Sequence, residues 1–170
     1  MSHPTLGDLH TLAEEVGGVL VERQETVATA ESCTAGLVSA TLTGVPGSSD
    51  FFWGGTVVYG ADAKIELAGL DPELLKEHGT VSATTTEALA ETIRDRSRAT
   101  YGVAVTGLAG PTAGPGEVGR VFGAVADQHG VVSRRWHFDG DRGAVRAAAV
   151  GAVLDLLRQR LAGSDDGADD

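Results

Sequence analysis

The chain has 170 residues and 17.4 kDa, with 42% hydrophobic residues and a mean hydropathy of +0.00, which suits one compact domain with a core of its own. A formal net charge of -11, from 13 Lys and Arg against 24 Asp and Glu, argues against a surface built to hold nucleic acid. The single cysteine, Cys33, cannot close an internal disulfide, no Cys/His spacing suggests a zinc site, and no stretch approaches the ~20 apolar residues of a membrane span.

From Thr5 to about Val21, Leu6, Leu9, Leu12, Val16 and Leu20 recur at helical spacing and predict an amphipathic first helix. Residues 25–30 alternate as a short strand, and Glu31-Ser-Cys-Thr-Ala-Gly36 then leads into Leu37, Val38 and Leu42 at helical spacing. A breaker-rich loop from Gly44 to Asp50 precedes an aromatic and β-branched strand that ends near Tyr59. Residues 62–68 read as a short helix carrying Lys64, and Asp71-Pro72 opens another. Ser82 with Glu87 downstream marks the start of a longer surface helix that runs through Leu89 and Ile93.

Residues 101–106 form a compact buried strand, followed by a glycine-rich stretch from Gly107 to Gly116. Residues 118–127 and 131–138 alternate as a hairpin, and an Ala-rich helix runs from Ala144 to about Leu161. Helices alternating with strands predict an α/β fold, a three-layer α/β/α sandwich around a mixed sheet. Residues 1–162 make one domain, and residues 163–170 are expected to form a disordered acidic tail.

Three polar segments each follow a predicted strand: Ala30 to Gly36, Tyr59 to Lys64, and Thr106 to Pro111. Ligands of open α/β sheets bind where strand ends and loops converge, so the three are expected to share a cleft. Ser32 at a helix start is placed either to cap that helix or to attack a substrate beside free N–H donors. Glu31 can answer the helix dipole or face the cleft, and Cys33 can be a buried hydrophobe or a nucleophile. Only Lys64 and Lys76 are lysines in a chain otherwise reliant on arginine, a composition that also suits a salt-adapted cytosol. Lys64 is either a desolvated base or a surface residue paired with Asp62 or Glu66. Tyr59 is a core residue or a phenolic donor at the cleft. Asp139, Asp141, Arg142 and Arg146 cluster at the last helix start, as a phosphate site or as a cap with an ion pair. The glycine-rich stretch has neither the P-loop order nor the dinucleotide fingerprint.

Taken together, Thr29-Ala-Glu-Ser-Cys-Thr-Ala-Gly36, Pro46-Gly-Ser-Ser49, Val58-Tyr-Gly-Ala-Asp-Ala-Lys64, His78-Gly-Thr-Val-Ser82, Thr106-Gly-Leu-Ala-Gly-Pro111 and Gly140-Asp-Arg142 closely resemble the CinA C-terminal domain family, over about residues 8–161. The chain reads as the stand-alone form of that family. The resemblance implies a three-layer fold and a cytoplasmic amidohydrolase that converts nicotinamide mononucleotide to nicotinic acid mononucleotide and ammonia, without metal or cofactor. It implies Ser32 as nucleophile, Lys64 as its base and Tyr59 close by. N–H groups of Cys33, Thr34 or Ala35 would then hold the oxyanion. Glu31, Cys33, Thr34, Thr106, Gly107 and Gly110 are candidates for lining the substrate site, and Arg142 or Arg146 for the 5′-phosphate. A homo-oligomer is a reasonable expectation, and neither nucleic acid nor membrane is an expected partner. The competing reading is a non-catalytic nucleotide-binding or regulatory module of the competence/damage-inducible type. One departure stands out: relatives carry a Lys-Pro-Val-Gly-Thr-like segment where this chain has Gly116-Glu-Val-Gly-Arg120, with Arg120 as the available substitute for the missing base.

Overall fold

A computed structural model describes residues 4–112 and 117–163. The expected tail, apart from Gly163, and the last four residues of the glycine-rich stretch lie outside the described residues. Among the described residues, five strands form one sheet in the order β2-β1-β3-β4-β5, with β1 (Val27–Glu31), β2 (Phe52–Val57) and β3 (Tyr101–Gly107) parallel. The hairpin of β4 (Arg120–Asp127) and β5 (Gly130–His137) adds two antiparallel strands beside β3. Among the described residues, no helix is long and apolar enough to cross a membrane.

Among the described residues, six α-helices cover the two faces. On one side α1 (Leu6–Glu22), α2 (Leu37–Thr43) and α6 (Arg142–Gly163) pack over Val27, Val103, Val105, Val121 and Val125. On the other, α3 (Ala61–Glu66), α4 (Pro72–His78) and α5 (Ala83–Ser97) share a cluster with Ala28, Ala30, Ala104, Ala124 and Ala126. The two faces of the sheet therefore differ in bulk, valine toward α6 and alanine toward α5. Small side chains let α5 come close: a Cβ on Gly102 would lie 2.0 Å from the carbonyl oxygen of Ala90. Strands β1 and β3 are covered on both faces: every residue of β1, and every residue of β3 but Gly107, is buried, so the alternation read over residues 25–30 is not one of burial.

Helix starts follow the local chemistry of their caps. Thr5 accepts from the Asp8 N–H while the Asp8 carboxylate accepts from the Thr5 N–H, a reciprocal capping box for α1. Asp71 caps α4 ahead of Pro72, and Ser82 caps α5 by accepting from the Thr85 N–H. Asp141 accepts from the Ala144 N–H, so α6 starts at Arg142, two residues before the Ala-rich run that signals it. Strand β2 stops at Val57, which leaves Tyr59 in a loop rather than at a strand end.

The connection from β1 through α2 to β2 crosses one face, and the path from β2 to β3 through α5 crosses the other. The direction of winding reverses between β1 and β3, and beyond the C-terminal ends of these two strands an open α/β sheet leaves a crevice for a ligand.

Candidate active site

At that crevice the loop after β1 meets the loop after β3. Glycine at 107 makes the approach possible, because a Cβ there would lie 2.9 Å from both Cys33 Sγ and Val121 Cγ2. The resulting cleft has a volume of about 230 Å³. Ser32, Cys33, Tyr59 and Lys64 line it, with Gly107, Gly110 and Arg142 opposite. Thr80 and Val81 also line it; they lie within the His78–Ser82 block of the family resemblance, just before the Ser82 cap of α5, but were given no role at the cleft from the sequence.

Lys64 sits on α3 with its side chain turned inward and 1% of its surface exposed. Its Nζ lies 2.7 Å from the carbonyl oxygen of Val58, 3.2 Å from that of Tyr59 and 3.2 Å from Ser32 Oγ. Burial pushes the amine from 10.5 down to about 8, opposed in part by the neighbouring Cys33 sulfur. The alternative of a surface lysine paired with Asp62 or Glu66 is thereby set aside. The Ser32 hydroxyl also reaches the Tyr59 carbonyl at 3.4 Å, so both polar side chains converge on one turn of backbone.

Ser32 is not at a helix start. Residues 32–36 form turns, Ala35 and Gly36 take left-handed conformations (φ 50° and 95°), and α2 begins only at Leu37 with Gly36 as its cap. Of the three N–H groups expected to hold an oxyanion, that of Ala35 donates instead to the Ser32 carbonyl at 3.0 Å. Burial pushes the Cys33 thiol up to about 11, with backbone N–H groups and Arg146 offsetting part of the effect. A thiol so held stays protonated at neutral pH and is a poor nucleophile.

Four residues expected at the substrate site face elsewhere. Glu31 is 1% exposed and its two oxygens accept from Thr34, Gly36, Val38 and Ser39. Thr34 is buried, and its hydroxyl donates to Glu31 at 2.7 Å. Thr106 is buried and shares a hydrogen bond of 2.8 Å with Thr86 on α5. Arg146 donates to the carbonyl oxygens of Cys33 (3.0 Å) and Thr34 (2.8 Å). None of the four lines the cleft, and each has its polar atoms paired within the protein.

Arg142 does reach the cleft. It donates to the Gly110 carbonyl at 2.9 Å and to the Tyr59 phenol oxygen at 2.7 Å, joining two sides of the opening. Tyr59 is 56% exposed, so it is a rim residue and not part of the core. Arg120, the substitute considered for a missing base, is on β4; its Nε is buried and has no partner among the described residues. It does not line this cleft.

The family model described as the CinA C-terminal domain matches residues 9–161. A CinA-like protein of Synechocystis is 45% identical over 162 residues, covering 92% of this chain and 39% of that protein. Another, from Acidobacterium capsulatum, is 47% identical over 155 residues, covering 89% of this chain and 37% of its own length. The chain thus spans about two-fifths of these curated relatives. Among solved structures, a CinA superfamily protein from Klebsiella pneumoniae aligns with a TM-score of 0.88 at 30% identity, covering 91% of this chain and 98% of that one. A competence/damage-inducible protein from Agrobacterium tumefaciens aligns with a TM-score of 0.86 at 36% identity, covering 94% and 98%. With its sequence matched from residue 9 to residue 161 and its fold shared with solved members, this chain belongs to the CinA C-terminal domain family.

Proposed function

We propose that the protein is an amidohydrolase that converts nicotinamide mononucleotide to nicotinic acid mononucleotide and ammonia, with Ser32 as nucleophile and Lys64 as base. The observation that carries this reading is the buried amine of Lys64 at 3.2 Å from Ser32 Oγ, held by two backbone carbonyls. In its neutral form the amine keeps two N–H donors on Val58 and Tyr59 and turns its lone pair to the serine hydroxyl. Burial makes that form accessible, since an amine near 8 is neutral in a useful fraction of molecules at neutral pH.

Ser32 Oγ attacks the carboxamide carbon as Lys64 takes its proton, and the carbonyl electrons move onto oxygen. The tetrahedral oxyanion lies beside the backbone N–H groups of Cys33 and Thr34. Lys64 returns the proton to the amide nitrogen, the C–N bond breaks, and ammonia leaves an ester on Ser32. Water then attacks the ester, Lys64 takes its proton and passes it to Ser32 Oγ, and the carboxylic acid departs. Arg142, the cationic side chain at the rim, is suited to the 5′-phosphate. Arg146, engaged by loop carbonyls, is not.

The test is ammonia release from nicotinamide mononucleotide, in low and in molar salt, with nicotinic acid mononucleotide identified as the second product. One ammonia per carboxylate formed supports the amidase. Folded protein that binds the nucleotide but releases no ammonia in either salt supports the non-catalytic nucleotide-binding module instead.

A further inference from the structure

We propose that Glu31 and Arg146 are a pair of positioning residues that hold the Ser32 loop from opposite polarities, the carboxylate gathering its donors and the guanidinium its carbonyls. This rests on the reading of Ser32 as nucleophile and deepens it. Neither residue lines the cleft, and each spends its charge on the segment that carries the serine.

Glu31 is the last residue of β1, directly before Ser32. One carboxylate oxygen accepts from Thr34 Oγ1 (2.7 Å), the Gly36 N–H (2.9 Å) and the Val38 N–H (3.0 Å). The other accepts from the Ser39 N–H (2.8 Å) and Ser39 Oγ (2.7 Å), which is itself bonded to Thr29 Oγ1 on β1 at 2.8 Å. From the other side, Arg146 on α6 donates to Cys33 O and Thr34 O. Between them the two side chains take both kinds of backbone group that a turn leaves unpaired.

The segment needs such a clamp. It contains two left-handed residues, Ala35 and Gly36, and leads into a helix of 7 residues that is too short to be stable alone. The N–H groups at a helix start normally invite an anion from solvent or substrate. Here Glu31 supplies the anion from inside the fold, so the start of α2 is closed to a substrate phosphate. Serine is left at the strand end, set against Lys64 with little freedom to stray, which is how a nucleophile is held near its attacking geometry.

The experiment compares wild type with Glu31→Gln, Arg146→Gln and the milder Ser39→Ala. Glutamine at 31 keeps the size but replaces one acceptor oxygen by an NH2 group facing donors. Three quantities are read on folded protein: kcat and KM for nicotinamide mononucleotide, the rate of Ser32 labelling by a fluorophosphonate, and amide hydrogen exchange of residues 33–39. Both charge-removing variants are expected to lose about tenfold or more in kcat and in labelling rate, with KM within about threefold, and to exchange residues 33–39 faster while the sheet stays protected. Ser39→Ala is expected to show a smaller loss of the same kind, and it serves if Glu31→Gln does not fold. Unchanged exchange and labelling in the variants, or a rise in KM alone for Arg146→Gln, overturns the clamp. A wild type that is neither labelled nor active overturns the serine nucleophile, and hydrogen exchange still decides the clamp by itself.

Discussion

Lys64 Nζ and Ser32 Oγ stand 3.2 Å apart, although the residues are 32 positions apart in sequence and lie on different elements. The amine has lost its water: with 1% of the residue exposed, its remaining contacts are the carbonyls of Val58 and Tyr59. A desolvated lysine gives up its proton at lower pH than a free one, and here that point falls at about 8.

The first prediction concerns pH. Only the neutral amine can accept the serine proton, so kcat/KM should rise about tenfold per pH unit below about 8 and level off above it. Lys64→Arg should lose activity by about 10²- to 10⁴-fold, because a guanidinium keeps its proton at any usable pH. A profile flat from pH 6 to pH 9 would assign the base elsewhere.

The rim makes a second prediction, read in substrate preference. Arg142→Ala should raise KM for nicotinamide mononucleotide by about tenfold or more, the loss expected for a charge-assisted hydrogen bond. The same variant should treat nicotinamide riboside, which lacks the phosphate, much as wild type does. Tyr59→Phe should cost only a few-fold, since the phenol steadies Arg142 while the Tyr59 carbonyl, which holds Lys64, is unchanged.

Gly107→Ala tests whether the two loops must meet closely. The new methyl would lie 2.9 Å from Cys33 Sγ and 3.0 Å from the Arg120 carbonyl oxygen, and neither can yield without moving the Ser32 loop or the start of β4. Overpacking of this kind destabilises by about 1–3 kcal/mol. A fall in melting temperature together with a fall in kcat, measured by thermal unfolding and steady-state assay, is expected.

Residues far from the cleft should separate stability from activity. Asp127 at the end of β4 holds Arg160 of α6 through two hydrogen bonds of 2.6 and 2.7 Å, and its side chain is 3% exposed. Burial alone would raise the Asp127 carboxyl, yet the Arg160 hydrogen bonds and charge win and hold it below 3.8. Its contribution is therefore complete above pH 3.8 and lost as pH falls through the lowered value. Arg160→Ala should cost about 1–3 kcal/mol in urea unfolding at pH 7, since among the described residues it leaves the carboxylate only the His129 N–H at 2.7 Å, with kcat unchanged at temperatures where the variant is folded.

The elements themselves were legible because their signals are local: Asp71-Pro72 does open α4, Ser82 does cap α5, and the strands read at 25–30 and 101–106 are found at 27–31 and 101–107. The Ser32 loop was misread because helical spacing from Leu37 extends backward in pattern but not in backbone. Two left-handed residues and a buried carboxylate intervene, and the fate of Glu31 depends on partners that only the fold supplies. The same reason hid the roles of Arg146 and Thr106, whose polar atoms pair across elements 20 to 113 residues apart. Thr80 and Val81 went unassigned because a wall residue needs no distinctive chemistry.

The most direct test of the central claim is ammonia release from nicotinamide mononucleotide by Ser32→Ala beside Cys33→Ala. The adjacent thiol is the rival nucleophile in the same cleft, and its burial argues that it stays protonated. The account predicts that Ser32→Ala loses at least about a thousandfold in kcat while Cys33→Ala keeps turnover within about tenfold of wild type. Activity that survives in Ser32→Ala would contradict it.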